Sequence, residues 1–163
     1  MELQEKLKQE AIEIGACAAG IESWGEPTLA DLCRKYFKYQ DFCIEHNWPA
    51  IEDFKSVDQN ELAMHGIFVQ GANKATDLND IVVMGDAYAD IHVTQPCNVF
   101  IRHKGDVKLS VDAGVLCYVS MYDEAHLTVN SKVKGSRIAV SFYGGSIEDN
   151  GLVDKVYYKL PKK

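Results

Sequence analysis

The stretch IVVMGDAYADIHVTQPCNVFIRHKGDVKLSVDAGVLCYVSMYDEAHLTV, residues 81–129, decides how this chain folds. Apolar and polar residues alternate through it with the two-residue period of a strand. Ile81 and Val83 recur at an offset of 18 as Val99 and Ile101, and then as Cys117 and Val119. A second set runs Ala89, Ile91, Val93, then Val107, Leu109, Val111, then Ala125, Leu127, Val129, again at 18. Stacked coils require such a period. Each coil lies ~4.8 Å above the last, and a one-residue slip would turn core side chains outward. Turn-forming clusters mark the corners: Gly85-Asp86, His103-Lys104-Gly105-Asp106, Asp112-Ala113-Gly114 and Tyr122-Asp123-Glu124. The pattern predicts a β-solenoid with an 18-residue coil.

Ile138 and Val140 continue the first set at 19 from Val119 and Met121, so one inserted residue is expected between Ser131 and Gly135. Ala87, Val93, Val99, Val111, Cys117 and Val129 fall at multiples of six, as in a left-handed hexapeptide helix. Gly105, Asp123 and Gly135 break that series, which favours the right-handed form. An antiparallel β-sandwich with strands about nine residues apart is the competing architecture. On the outward positions the solenoid predicts one ladder of Asp90, Lys108 and His126 and another of His92, Ser110 and Thr128.

The N-terminal part has a helical period instead. Leu3, Leu7, Ala11 or Ile12, and Ile14 mark an amphipathic helix ending near Gly15 or Gly20. Thr28 and Asp31 form a short capping box for a second helix that runs to His46-Asn47, apolar around much of its circumference. Trp48-Pro49 breaks it, and Ala50 to Lys55 reads as a third short helix. Ser56 to His65 is ambiguous, Ile67-Phe68-Val69 reads as a first strand, and Asn73 to Asp80 as a polar loop. The chain is therefore an α+β protein: a helical cap over residues 1–65, then a solenoid over 66–163 closed by a last strand from Val153 to Tyr158. Such end covers are needed because open strand edges pair with other chains.

Hydrophobic residues at 47% and charged residues at 25% of 163 positions describe a folded globular chain. A net charge of −7, with basic residues dispersed apart from Lys159, Lys162 and Lys163, argues against nucleic acid. No apolar run is long enough to span a membrane, and the acidic, amphipathic start is unlike a signal peptide, so a cytoplasmic protein is expected. Five cysteines without CxxC spacing (Cys17, Cys33, Cys43, Cys97, Cys117) are expected as reduced, mostly buried thiols. Cys33, Cys43 and His46 match no zinc spacing, and His92 and His126 lack a chelating partner, so no metal and no cofactor is expected. GxGxxG, P-loop, GxSxG and HExxH motifs are absent from the sequence. Asp86, Asp90, Asp106, Asp123 and Glu124 are the candidates for carbohydrate chemistry, with solvated corners as the simpler reading.

The more informative surface is apolar. Opposite in parity to the core, Val82, Phe100 and Tyr118 recur at 18, and Arg137 follows once the insertion is allowed. An outward Val-Phe-Tyr-Arg stripe needs a cover, either the chain's own helices or a protein partner. The helix containing Tyr36 to His46, the Gly66-Ile67-Phe68-Val69 strand and the polar β-repeat resemble small uncharacterised proteins of Bacteroides-type gut bacteria and their phages. That resemblance implies a phage or mobile-element setting and no catalytic residues. In coil length alone the repeat is similar to bactofilins. A non-enzymatic interaction or assembly module is expected, binding a protein partner or itself, with no small-molecule ligand. A carbohydrate-binding or carbohydrate-active β-helix is the alternative.

Overall fold

The computed structural model describes residues 2–25, 28–130, 137–149, 153 and 155–158. Every strand pairing among them is parallel, which excludes the sandwich. One sheet contains β1 (Ile67–Phe68), β3 (Asp80–Val83), β5 (Cys97–Ile101), β7 (Leu116–Met121), β9 (Arg137–Phe142) and β11 (Lys155–Tyr158), in that order. The other contains β2 (Ala72–Thr76), β4 (Tyr88–Val93), β6 (Asp106–Val111), β8 (His126–Val129) and β10 (Ser146–Asp149). The chain alternates between the sheets, so each coil of this β-solenoid contributes one strand to each. Inward residues of both sheets share one core, in which Ile81, Val99 and Val119 meet Ile91, Leu109 and Leu127.

The coil is not uniform in length. Tyr88 stands opposite Asp106, an offset of 18, but Asp106 stands opposite His126, an offset of 20. In the first sheet Asp80 faces Asn98 at 18, Asn98 faces Tyr118 at 20, and Tyr118 faces Ala139 at 21. Ile91 therefore meets Leu109 as expected, whereas Leu109 meets Val129 and Leu127 meets Val107. Across the three middle coils the extra residues enter at the return from the second sheet to the first, whereas the last crossing to the second sheet, Ala139 to Ser146, is one step shorter at seven. From the first sheet to the second, Asp80 to Tyr88, Asn98 to Asp106 and Tyr118 to His126 each take eight steps. A two-residue increment preserves parity, so the apolar alternation reads equally well at 18 and at 20. The insertion expected within Ser131 to Gly135 lies outside the described residues.

In the middle coils the corner from the first sheet to the second is held by a repeated device. Gly85, His103 and Asp123 all adopt left-handed backbone, with φ of 65°, 54° and 56°, a region in which Gly, Asp and His are favoured over bulkier residues. The Gly85 N–H donates to His103 Nδ1 at 3.1 Å, and the His103 N–H donates to Asp123 Oδ2 at 3.0 Å. Each corner side chain thus satisfies a backbone donor of the coil before it. The last turn position is small in every coil: Ala87, Gly105 and Ala125. A Cβ on Gly105 would sit 2.6 Å from the Val83 carbonyl oxygen, so the approach of the coils demands glycine there. Beside this corner the Tyr122 and Tyr143 rings stack 4.8 Å apart at 3°, which is the strand spacing itself.

The helices are α1 (Leu3–Glu13), α2 (Ala18–Glu22), α3 (Leu29–Lys38), α4 (Gln40–Glu45), α5 (Ile51–Lys55) and α6 (Gln59–Met64). The Thr28/Asp31 capping box opens α3 as expected. The second expected helix is two, because Tyr39, at φ −110° and ψ 31°, departs from helical backbone. The expected loop Asn73 to Asp80 contains most of β2. Ala72, Asn73, Lys74, Ala75 and Thr76 carry no apolar alternation, and an edge strand with an exposed lysine needs none. The chain divides into two compact units, Met1–Leu62 and Ala63–Lys163. Among the described residues no helix is long and apolar enough to cross a membrane.

Leu109→Ala should cost about 2–5 kcal/mol by denaturant titration, and outward Ser110→Ala no more than about 0.5 kcal/mol. Burial, with Arg102 beside it, lowers the pKa of His103 from its ordinary value, and only Asp123 opposes this. The unfolded chain therefore takes up a proton as pH falls through the ordinary histidine range, while the folded chain resists it. This contribution to stability is complete above the unfolded pKa and is lost as pH falls through the lowered folded value. The urea midpoint should drop between roughly pH 7 and pH 5.5, and His103→Asn should flatten part of that drop.

Candidate functional site

Sequence parity places Val82, Phe100, Tyr118 and Arg137 on the outward face of the first sheet, and the structure puts all four there in an altered arrangement. Val82 pairs with Phe100, as expected. Phe100 then pairs with Ser120 and not with Tyr118, which stands between Asn98 and Ala139. Arg137 pairs with Leu116. The expected straight stripe is not formed, because the coil that follows β5 is longer by two. Phe100, Tyr118 and Arg137 lie instead on a diagonal, each one row displaced from the last, about 8 Å apart by strand spacing and rise.

Burial divides the four residues. Val82 has no exposed surface and Phe100 is half-buried. Tyr118 is 53% exposed, and Arg137 is exposed as well. Around Tyr118 the outward positions are Leu116 and Ser120 on its own strand and Asn98 and Ala139 across the ladder. The Asn98 side-chain N–H donates to Asp80 Oδ1 at 3.2 Å, fixing the polar edge of this patch. The result is a parallel sheet face with an exposed tyrosine, half-buried Leu116 and Phe100 in neighbouring rows, and an exposed arginine on the far diagonal.

The second sheet presents a different face. Its middle outward row reads Lys74, Asp90, Lys108, Thr128, Glu148. Asp90 faces Lys108 as expected, but Thr128 follows Lys108, and His126 lies opposite Asp106. Such opposite-charge neighbours stabilise a ladder by a few tenths of a kcal/mol. At the corner from the first sheet to the second, Asp86, Lys104 and Glu124 occupy equivalent turn positions, with Lys104 Nζ 3.9 Å from Glu124. Asp86 and Glu124 are therefore two coils apart, ~9.6 Å of rise, with an ammonium between them. Paired carboxylates for sugar hydrolysis sit roughly 5–9.5 Å apart and flank the scissile bond, whereas here Lys104 occupies the rung between Asp86 and Glu124. These carboxylates are placed as rungs of charge ladders.

Cys97 and Cys117 face each other across β5 and β7, inside the core. Burial pushes the Cys97 thiol up to about 12 and raises Cys117 further, while burial takes Cys33 to about 11. Thiols held protonated in this way are poor nucleophiles. Cys17 is exposed, and its sulfur accepts from the Gly20 N–H at the start of α2. Among the described residues no group of three His, Cys, Asp or Glu side chains is placed to hold a metal ion. No protein-family model, curated protein or solved structure matches the chain.

Phe100→Asp should destabilise the protein by roughly 1–3 kcal/mol, since it carries a charge into a half-buried apolar site beside fully buried Val82. Tyr118→Asp, at an exposed position, should shift thermal stability measured at high dilution by no more than about 0.5 kcal/mol.

Proposed function

We propose that this protein is a non-enzymatic assembly module that uses the outward face of its first sheet to bind protein, with a second copy of the chain as the occupant. The observation that carries this reading is Tyr118, more than half exposed on a parallel sheet whose neighbouring outward rows hold Leu116, Phe100, Ala139 and Arg137. Tyrosine and arginine are over-represented among residues that dominate protein interfaces, because they bring large contact area and polar reach together. Half-buried apolar neighbours supply the water-excluding rim that such a residue needs. The rigid ladder beneath means that little conformational entropy is lost on docking. The alternation of carboxylates with lysines on the other face and corner supports this reading over carbohydrate chemistry.

The test is oligomeric mass by light scattering over a dilution series of the wild type and of Tyr118→Asp. The wild type should associate in a concentration-dependent way, and the variant should be a folded monomer. A wild-type protein that stays monomeric at its highest soluble concentration, or a Tyr118→Asp variant that associates unchanged, would overturn the proposal.

A further inference from the structure

The helical unit contains a pocket of about 320 Å³ whose described lining residues all belong to that unit. Its walls include Leu7, Leu32, Tyr36 and Phe54 together with both tryptophans of the chain, Trp24 and Trp48. The pocket is partly open at the surface of the unit, and an apolar recess of this size exceeds the small gaps that close packing leaves. It falls instead in the range of small-molecule sites, ~300–1,000 Å³, which are apolar with a few placed polar groups.

Two such groups are present. Trp24 Nε1, a donor, and Asp53 Oδ2, an acceptor, belong to residues that line the pocket and are only 4% and 7% exposed. Neither atom has a hydrogen-bond partner among the described residues. Buried donors and acceptors are seldom left unpaired, because each keeps the cost of its lost hydration. The other oxygen of Asp53 accepts from Lys6, so the carboxylate charge is already matched. The cation position over the Trp24 ring is also taken, by Lys35 Nζ at 5.2 Å from the ring centre, which bonds in turn to Gly20 O and Ser23 Oγ. A further cation would find its place filled, and an anion would meet Asp53.

We propose that this pocket binds a neutral small molecule with an apolar body, a group that accepts from Trp24 Nε1 and a hydroxyl or amide that donates to Asp53 Oδ2. A cavity of ~150 Å³ accommodates benzene, so this one takes about a dozen heavy atoms. A medium-chain alcohol and an alkylphenol share that chemistry. Such a ligand departs from the sequence expectation of none. The alternation of apolar residues along α3 and α4 does not distinguish a packed helix face from one that lines a void.

Because both tryptophans line the pocket, intrinsic emission reports its occupancy directly. The full chain is titrated with 1-decanol and, separately, with 4-pentylphenol. A saturable, one-to-one change in emission is expected for at least one of them, and the tighter probe identifies an aliphatic or an aromatic ligand. Ala11→Phe, which fills the pocket from α1, should weaken that probe at least tenfold while the unfolding temperature stays level or rises. Trp24→Phe removes the donor, leaves Trp48 as reporter and should weaken binding about tenfold. Should Ala11→Phe fail to fold, the wild-type titration and Trp24→Phe decide the matter. No saturable change with either probe, or undiminished binding by Trp24→Phe, overturns the proposal.

Discussion

Parity of register is the constraint on which the rest of the solenoid depends. In a parallel stack each inward side chain rests on another inward side chain, and a shift of one residue exchanges core for surface along a whole strand. The offset between coils can grow from 18 to 20 here because the step is even. Within the strand arms the alternation of Val107, Leu109 and Val111 simply re-registers on Leu127 and Val129. The step of 21 between Tyr118 and Ala139 is odd, and it is absorbed outside the strands, so Cys117 still meets Ile138 and Val119 still meets Val140.

Through its three middle coils the stack lengthens but keeps one place where it does not. The corner from the first sheet to the second supplies it, with left-handed Gly85, His103 and Asp123 tied in series through backbone N–H groups and side-chain acceptors. A β-branched residue at these positions would strain the turn, and loss of the His103 or Asp123 acceptor would leave a donor of the coil before it unsatisfied. This corner also makes the structure sensitive to acid, because a protonated His103 ring nitrogen no longer accepts from Gly85.

The solenoid itself was legible in the sequence, since period-two alternation and turn clusters depend on the face each residue takes and on nothing remote. The coil length was not, because V-K-L-S-V and A-H-L-T-V pack equally well at either even offset. The corners held the missing signal: aligning Gly85-Asp86-Ala87 with His103-Lys104-Gly105 and Asp123-Glu124-Ala125 returns 18 and then 20. Strand β2 was hidden because Ala72 to Thr76 have no apolar face to read. The outward patch was half legible. Parity assigned Phe100, Tyr118 and Arg137 to one face, but their diagonal arrangement follows from the longer coil. The pocket of the helical unit was not legible at all, because a sequence records which residues are apolar and not whether their partners fill the space between them.

The solenoid presents two unlike faces, one a ladder of alternating charge and the other a smooth patch centred on Tyr118. Both the assignment of that patch and its geometry rest on the register, so the register is what most needs a direct measurement. Interstrand contacts between backbone protons, read by nuclear magnetic resonance on labelled protein, discriminate the two possibilities at a single position. The lengthened coil predicts contacts of Leu127 with Val107 and of Val129 with Leu109. Contacts of Leu127 with Leu109 in their place would restore a uniform offset of 18 and contradict it.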